Sequence, residues 1–428
     1  MFKDLRHKIE FGVGIAVILA MVLFGTLYYG DKSMQFLARM FVGGSIGYAL
    51  ARASFGFAGT VNRAYNSGST KLYRAVAALF LMGGLVTFLF ILGGFDTASL
   101  SRNSLNWGLL IGATLFGFGM SMTICCASGV LTDLAESPLR ALLVLFFFCG
   151  GAYLGTALKN ADWMAWYKEP IFGIEAIKGG VNFTDWFKWD GANGGLGALL
   201  LTAILVLVVI CLAHLYEQRR KKKETFVRCA AEITYEDQQA THQPSDKWYN
   251  ELFYNIFVKK WSLLQGAVVI AIAYGVLMLV FKSTWGVSGP LGQWFGRLLV
   301  MFGVPAESVA SFAGVKPETY TSPFFQQQMY IQDLSIFVGA LIAFLLSGDL
   351  TRNVKGWLFK PLEIIPYAIG GICLGIAINL AGGCNAGGLF SPISQFSLSG
   401  WIYLICITGG GILGNMARKA FYKGCKLD

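Results

Sequence analysis

The chain has 428 residues, of which 55% are hydrophobic and only 14% are charged, against roughly 25% charged in an ordinary soluble protein. Mean hydropathy is +0.57 and glycine occurs 53 times. This excludes a disordered chain, and nine cysteines scattered mostly in apolar runs of so long a chain exclude a secreted disulfide scaffold. The net charge of +10 would suggest nucleic acid for a soluble protein, but the basic residues fall in loops between apolar runs. That placement is the mark of a polytopic membrane protein.

A spanning helix takes about 20 mostly apolar residues. The first run, Phe11 to Tyr29, is long enough and is followed by no small-residue cleavage site, so it reads as a membrane helix rather than a removable signal. Nine more follow, giving ten expected spans: 11–29, 36–57, 74–94, 107–124, 139–158, 194–216, 261–281, 331–346, 364–380 and 401–416. The eighth and ninth are short and glycine-rich, the pattern of broken or re-entrant helices. Leu291 to Val304 suits an interfacial or re-entrant helix.

With the N-terminus placed in the cytoplasm, the inside loops hold 22 basic residues and the outside loops 9. The positive-inside rule therefore expects both termini in the cytoplasm. The segment 217–260 is the one sizeable soluble linker and carries Arg219-Arg220-Lys221-Lys222-Lys223. Such a run beside a helix anchors it to anionic head groups; docking of an acidic cytoplasmic partner is the other reading. Asp349 and Arg352 fall in an expected cytoplasmic turn and read as structural.

Two stretches repeat. The fourth span ends in Gly117 to Gly129, with Cys126, and the ninth in Gly375 to Gly387, with Cys384; each cysteine lies nine residues after a glycine and three before another. Likewise the second span runs into Ser54-Phe55-Gly56-Phe57-Ala58-Gly59, which matches the Thr284-Trp285-Gly286-Val287-Ser288-Gly289 into which the seventh runs. An offset of five spans inverts one copy relative to the other. The expected fold is an all-α polytopic membrane protein of about ten spans. It is a five-plus-five inverted repeat, with short or re-entrant helices carrying the cysteine motifs. Residues 1–216 form the first half plus the sixth span, 217–260 a basic linker and 261–428 the second half. Transporters of this build bind substrate near the midplane where the repeats meet; the alternative is chance small-residue packing between helices.

The repeat singles out Cys126 and Cys384, which could approach the midplane from opposite sides. A thiol is a weak, polarizable donor without charge at neutral pH, suited to a soft sulfur atom and not repelling an anion. Cysteine is also a common small apolar residue, and Cys149, Cys211, Cys373 and Cys406 read that way. Cys125, Gly383, Asn385, Asn379 and Ser128 are the further pathway candidates. Arg52 could attract an anion or snorkel to head groups. His7, His214 and His242 lie outside the repeats and no CxxC occurs, so no zinc site is expected; a soft Cu(I) site using Met120 and Met122 is the remaining metal reading. No chain of intramembrane acids or histidines suggests a proton relay. No phosphate-binding lysine motif points to ATP, and no cofactor is expected. No histidine or carboxylate stands near the cysteines in sequence, which argues against acid–base catalysis and for a protein that is not an enzyme.

Gly382-Gly383-Cys384-Asn385, followed by Phe390-Ser391 and by Gln395-Phe396-Ser397-Leu398-Ser399-Gly400-Trp401, resembles the signature of the YeeE/YedE family of bacterial inner-membrane proteins. Trp294 to Val304 and Leu115 to Gly119 are similar to it as well. The resemblance implies an hourglass of inverted repeats and uptake of sulfur-containing anions, chiefly thiosulfate, past cysteines that map onto Cys384 and Cys126. It also implies a TusA-like sulfur-carrier partner in the cytoplasm, and some relatives are linked to selenium compounds. Here Gly56 stands where many relatives place a further cysteine, Ile124-Cys125 replaces Gly-Gly, and the linker 217–260 is an addition. The expected function is an inner-membrane permease that hands a small sulfur-containing anion between Cys384 and Cys126. The alternatives are a membrane scaffold recruiting the sulfur carrier, or a transporter of a selenium compound.

Overall fold

A computed structural model describes residues 5–29, 34–174, 179–242, 247–351 and 360–424; Arg352 lies outside them. The described residues are helical, with isolated bridges at Asn106–Pro170 and Asn182–Ser397 as their only strand-like pairs. In chain order come α1 (Leu5–Tyr29), α2 (Met34–Arg52), α3 (Phe57–Ser67), α4 (Lys71–Leu92), α5 (Trp107–Thr123), α6 (Ala127–Glu136), α7 (Pro138–Asn160) and α8 (Gly195–Lys222). Then α9 (Ala230–Thr241) and α10 (Trp248–Phe253) lie in the linker. They are followed by α11 (Leu263–Phe281), α12 (Gly289–Met301), α13 (Ala306–Ala313), α14 (Glu318–Thr321), α15 (Gln328–Ser347) and α16 (Ile364–Leu380). A π turn over Asn385–Phe390 runs into α17 (Ser391–Ser394), and α18 (Leu398–Gly424) closes the fold.

Nine segments among the described residues are long and apolar enough to cross a membrane. The expected span 36–57 is not among them. Its helix, α2, stops at Arg52 and carries Arg39 within its length, and the chain then turns at Ser54, whose φ is 48°. The eighth expected span is one unbroken helix, α15, capped by left-handed Gly348. The ninth does break after α16, and Leu291–Val304 forms the short helix α12.

The local sequence explains several boundaries. Asn106 Oδ1 accepts the Leu109 N–H at 2.8 Å and starts α5. Ser262 and Gln265 cap each other's backbone at the start of α11, which satisfies donors that a helix start leaves open. Pro138 opens α7, where its missing N–H costs nothing.

The packing is paired. α2 lies along α15 and α4 along α11; α5 lies along α18 and α16 along α7; α1 rests on α15 as α8 rests on α4. The pairs α2–α11 and α5–α16 meet across the middle. Exchanging one set of helices for the other leaves this scheme unchanged, as a two-fold relation requires. In it α8, the sixth span, is the counterpart of α1 and groups with the helices that follow it. Close approach rests on missing side chains: a Cβ at Gly47 would fall on the Ile336 carbonyl, and one at Gly339 on the Gly44 carbonyl. With no hydrophobic drive between helices in lipid, such backbone contact is what joins them.

The linker is docked, not loose. The Glu217 carboxylate accepts the Thr70 N–H at 3.1 Å and hydroxyl at 2.8 Å and pairs with Lys221 at 2.7 Å. Val227 N–H donates to the Ser67 carbonyl. Arg220 donates to the carbonyls of Tyr65 and Thr225. Two of the five residues in the basic run are thus spent within the chain.

Candidate functional site

Both cysteine motifs build the same local device. α5 ends at Ile124 in the left-handed conformation, with φ 65°, a position that a β-branched residue occupies only under constraint. Cys126 then caps α6 in extended backbone. In the other half, α16 ends and the chain passes through Gly382 at φ 74° and Gly383 at φ 155°, after which Cys384 caps the helical turn beginning at Asn385. Each thiol therefore stands at the start of a short helix that follows a break in a long one. Open backbone N–H groups gather at such a start, and the local field there favours an anion.

Cys384 is 1% exposed. The backbone of Ala386 and Gly387 and the Ser288 side chain lie beside its sulfur. Ser288 belongs to the stretch that repeats the Ser54 motif, so both repeated motifs of the second half converge on one thiol. Cys126 is equally buried, with its Sγ 3.5 Å from the Ser128 hydroxyl. The two cysteines belong to one central cluster. Tyr403 of α18 donates its hydroxyl to the Gly383 carbonyl at 3.2 Å and lies within electrostatic range of both Cys384 and Cys126. Asn385 reaches across to α5, its Nδ2 3.9 Å from the Met120 sulfur, while its Oδ1 is buried without a partner.

A cavity of about 360 Å³ opens beside Cys126. Cys125, Cys126, Asn62, Arg63, Asp133 and Lys260 are among its walls; Cys384 is not. Arg63 donates to the Ser54 carbonyl at 2.8 Å, and Lys260 Nζ lies 3.4 Å from the Ser54 hydroxyl. Both cations are thus held by a neutral residue and face the cavity. Asp133 is engaged with Arg140 at 2.7 Å. Cys229, at the start of α9, brings the docked linker to the same cavity.

The far side is closed. Asn182 Nδ2 donates to the Gln395 carbonyl at 2.7 Å, Phe183 N–H to the Phe396 carbonyl at 2.8 Å and Leu398 N–H to the Val181 carbonyl at 2.9 Å. Ser101 N–H donates to Gln395 Oε1 at 2.7 Å. The loops around residues 101 and 182 therefore clamp the short helix that follows Cys384.

Of the residues expected at the site, Cys126, Cys125, Ser128, Cys384, Gly383 and Asn385 come together. Asn379 does not join them: its Nδ2 donates to the Ala152 and Gly375 carbonyls at 3.0 and 3.3 Å, in the seam between α7 and α16. Arg52 is buried and donates to the Lys259 carbonyl, tying down the end of the linker outside the cavity wall. Arg63, Lys260, Ser288 and Tyr403 were not singled out in the sequence. Ser288 alone had a signal, as a member of the repeated motif.

A family model described as sulphur transport matches residues 52–413. The chain is 23% identical over 315 residues to the thiosulfate transporter TsuA of Spirochaeta thermophila, covering 72% of this chain and 75% of that one. It is 21% identical over 374 residues to TsuA of Escherichia coli, covering 86% and 90%. It is also 28% identical over 157 residues to the probable transporter YedE of Escherichia coli, a match spanning only 37% of this chain and 38% of the relative's length.

Proposed function

The chain belongs to the sulphur transport family, and we propose that it is a permease that carries a small sulfur-containing anion, thiosulfate first among them, past Cys384 and Cys126. The observation that supports this most is the convergence of the two cysteine motifs, one from each half, beside Tyr403. The anion's terminal sulfur meets thiol hydrogens while its oxygens meet backbone N–H groups at the two helix starts. Together these replace part of its hydration shell, and neutral thiols hold it weakly enough to release it. Arg63 and Lys260 raise the local anion concentration in the cavity beside Cys126. The protein lies in the bacterial inner membrane with both termini and the linker in the cytoplasm, so that the closed side faces out. The anion leaves through the cavity under the linker, where a TusA-like sulfur carrier would collect it.

The test is uptake of labelled thiosulfate by cells lacking other thiosulfate transporters. Wild type takes up the label, while Cys384→Ala and Cys126→Ala at matched membrane levels lose nearly all of it. Undiminished uptake by both variants rules out passage along the thiols.

A further inference from the structure

Asp333 lies in the second turn of α15, fully buried, and neither carboxylate oxygen has a hydrogen-bond partner. A carboxylate stripped of water and of donors is expensive to keep charged, and an ionisable residue inside a membrane protein is by default a functional candidate. The facing cation does not bond to it. Arg39 on α2 donates instead to Gln332 Oε1 at 2.7 Å and stacks over Phe281, 4.0 Å from the ring centre. Gln332 in turn donates to the Gly286 carbonyl at 2.7 Å, two residues before Ser288, whose side chain lies beside the Cys384 thiol. One polar chain thus runs from beside Asp333 to the loop at Cys384.

We propose that Asp333 is a proton-binding site through which a proton travels with the anion; this rests on the permease reading. An anion at Cys384 draws on Arg39 through Gln332 and the Gly286 loop and favours the protonated carboxyl, and by linkage a protonated Asp333 favours the anion. The proton is taken from the aqueous phase on one side, held on a carboxyl oxygen and released to the other side. The charged or titratable groups in range are Arg39 and, on α7, Cys149. On α12, Arg297 is held by the Tyr330 hydroxyl at 3.1 Å. His7 and Glu10 of α1 meet the chain at Leu346 and Leu350, beyond the other end of α15. Asp133 and Glu136 of α6 flank Ala135, which packs on Ala340 and Phe344. Tyr254 of the linker lies by Arg52.

The test uses the purified full chain in liposomes with the voltage clamped at zero and an inward pH gradient of one unit. Wild type accumulates labelled thiosulfate about tenfold, the ratio one proton per anion sustains. Asp333→Asn lets the label equilibrate without accumulating, and Asp333→Glu restores accumulation. Accumulation independent of the gradient, or retained in Asp333→Asn, overturns the proposal. Absence of any thiosulfate flux in wild type defeats the permease reading instead, and Asp333 is then judged by infrared spectroscopy. A protonated-carboxyl band in wild type that shifts in Asp333→Glu and vanishes in Asp333→Asn supports the proton site; a spectrum without such a band overturns it. If Asp333→Asn does not assemble, the Asp333→Glu shift and the gradient dependence of wild type decide.

Discussion

The two halves build one device and finish it differently. Around Cys126 the short helix α6 borders a cavity of about 360 Å³ with Arg63 and Lys260 in its wall. Around Cys384 the equivalent turn is buried and clamped from outside by residues 101 and 181–183. Repetition supplies the thiol at a helix start twice; the flanking loops decide which copy is open. A permease at rest with one side shut has this asymmetry, and the variants below are ways to break it.

The largest effect is expected at Gly383. A Cβ there would stand 2.8 Å from the Gly388 nitrogen, and its backbone conformation alone costs other residues about 1–3 kcal/mol. Gly383→Ala should reduce thiosulfate uptake more than tenfold while the chain still reaches the membrane, because it displaces the cap at Cys384 and leaves the open copy intact. Next comes the polar knot that fixes α3, and with it the cavity wall, to α5 and α18. Asn415 Nδ2 donates to Asn62 Oδ1 at 2.8 Å, Asn66 Nδ2 donates to Asn415 Oδ1 at 2.9 Å, and the Ser121 hydroxyl donates to Asn62 Oδ1. Asn415→Leu leaves buried amides unpaired and should lower stability by about 1–3 kcal/mol, read as a fall in the detergent melting temperature.

Smaller effects come from charge. Arg63→Gln with Lys260→Gln should lower uptake about two- to tenfold at low substrate and flatten its dependence on ionic strength, with no change in melting temperature. Smallest is the clamp ion pair. The Arg102 guanidinium hydrogen-bonds to Asp185 and holds its carboxyl below the ordinary carboxylate range. A depressed folded value means stability that is present above the unfolded carboxylate pKa and is lost as pH falls through the folded one. Both side chains are about a third exposed, so Arg102→Ala should cost under about 1 kcal/mol at neutral pH and nothing measurable in strong acid, by thermal melts across pH.

The sequence made the spacing of the motifs plain, and with it the repeat, because glycine and cysteine sit where the backbone must break. It ran the second span on to Phe57, whereas α2 ends at Arg52 and the chain turns at Ser54, because apolar counting does not see a turn. It placed Asn379 at the site because an amide near the motif can serve a ligand or a seam, and only packing decides. Asp333 was invisible for the opposite reason: one acid barely changes the hydropathy of a long helix. The docking of the linker was also hidden, since it depends on Glu217 and Thr70, 147 positions apart.

The central claim is that the anion occupies the space between the two thiols, entered in this state from the cavity side. It is tested by a chain keeping only Cys126 and Cys384, reacted in open membrane fragments with a maleimide and read by mass spectrometry. Cys126 should react and Cys384 should not, and thiosulfate, but not sulfate, should slow the reaction at Cys126. Equal reaction at both cysteines, or no protection by thiosulfate, would contradict the account.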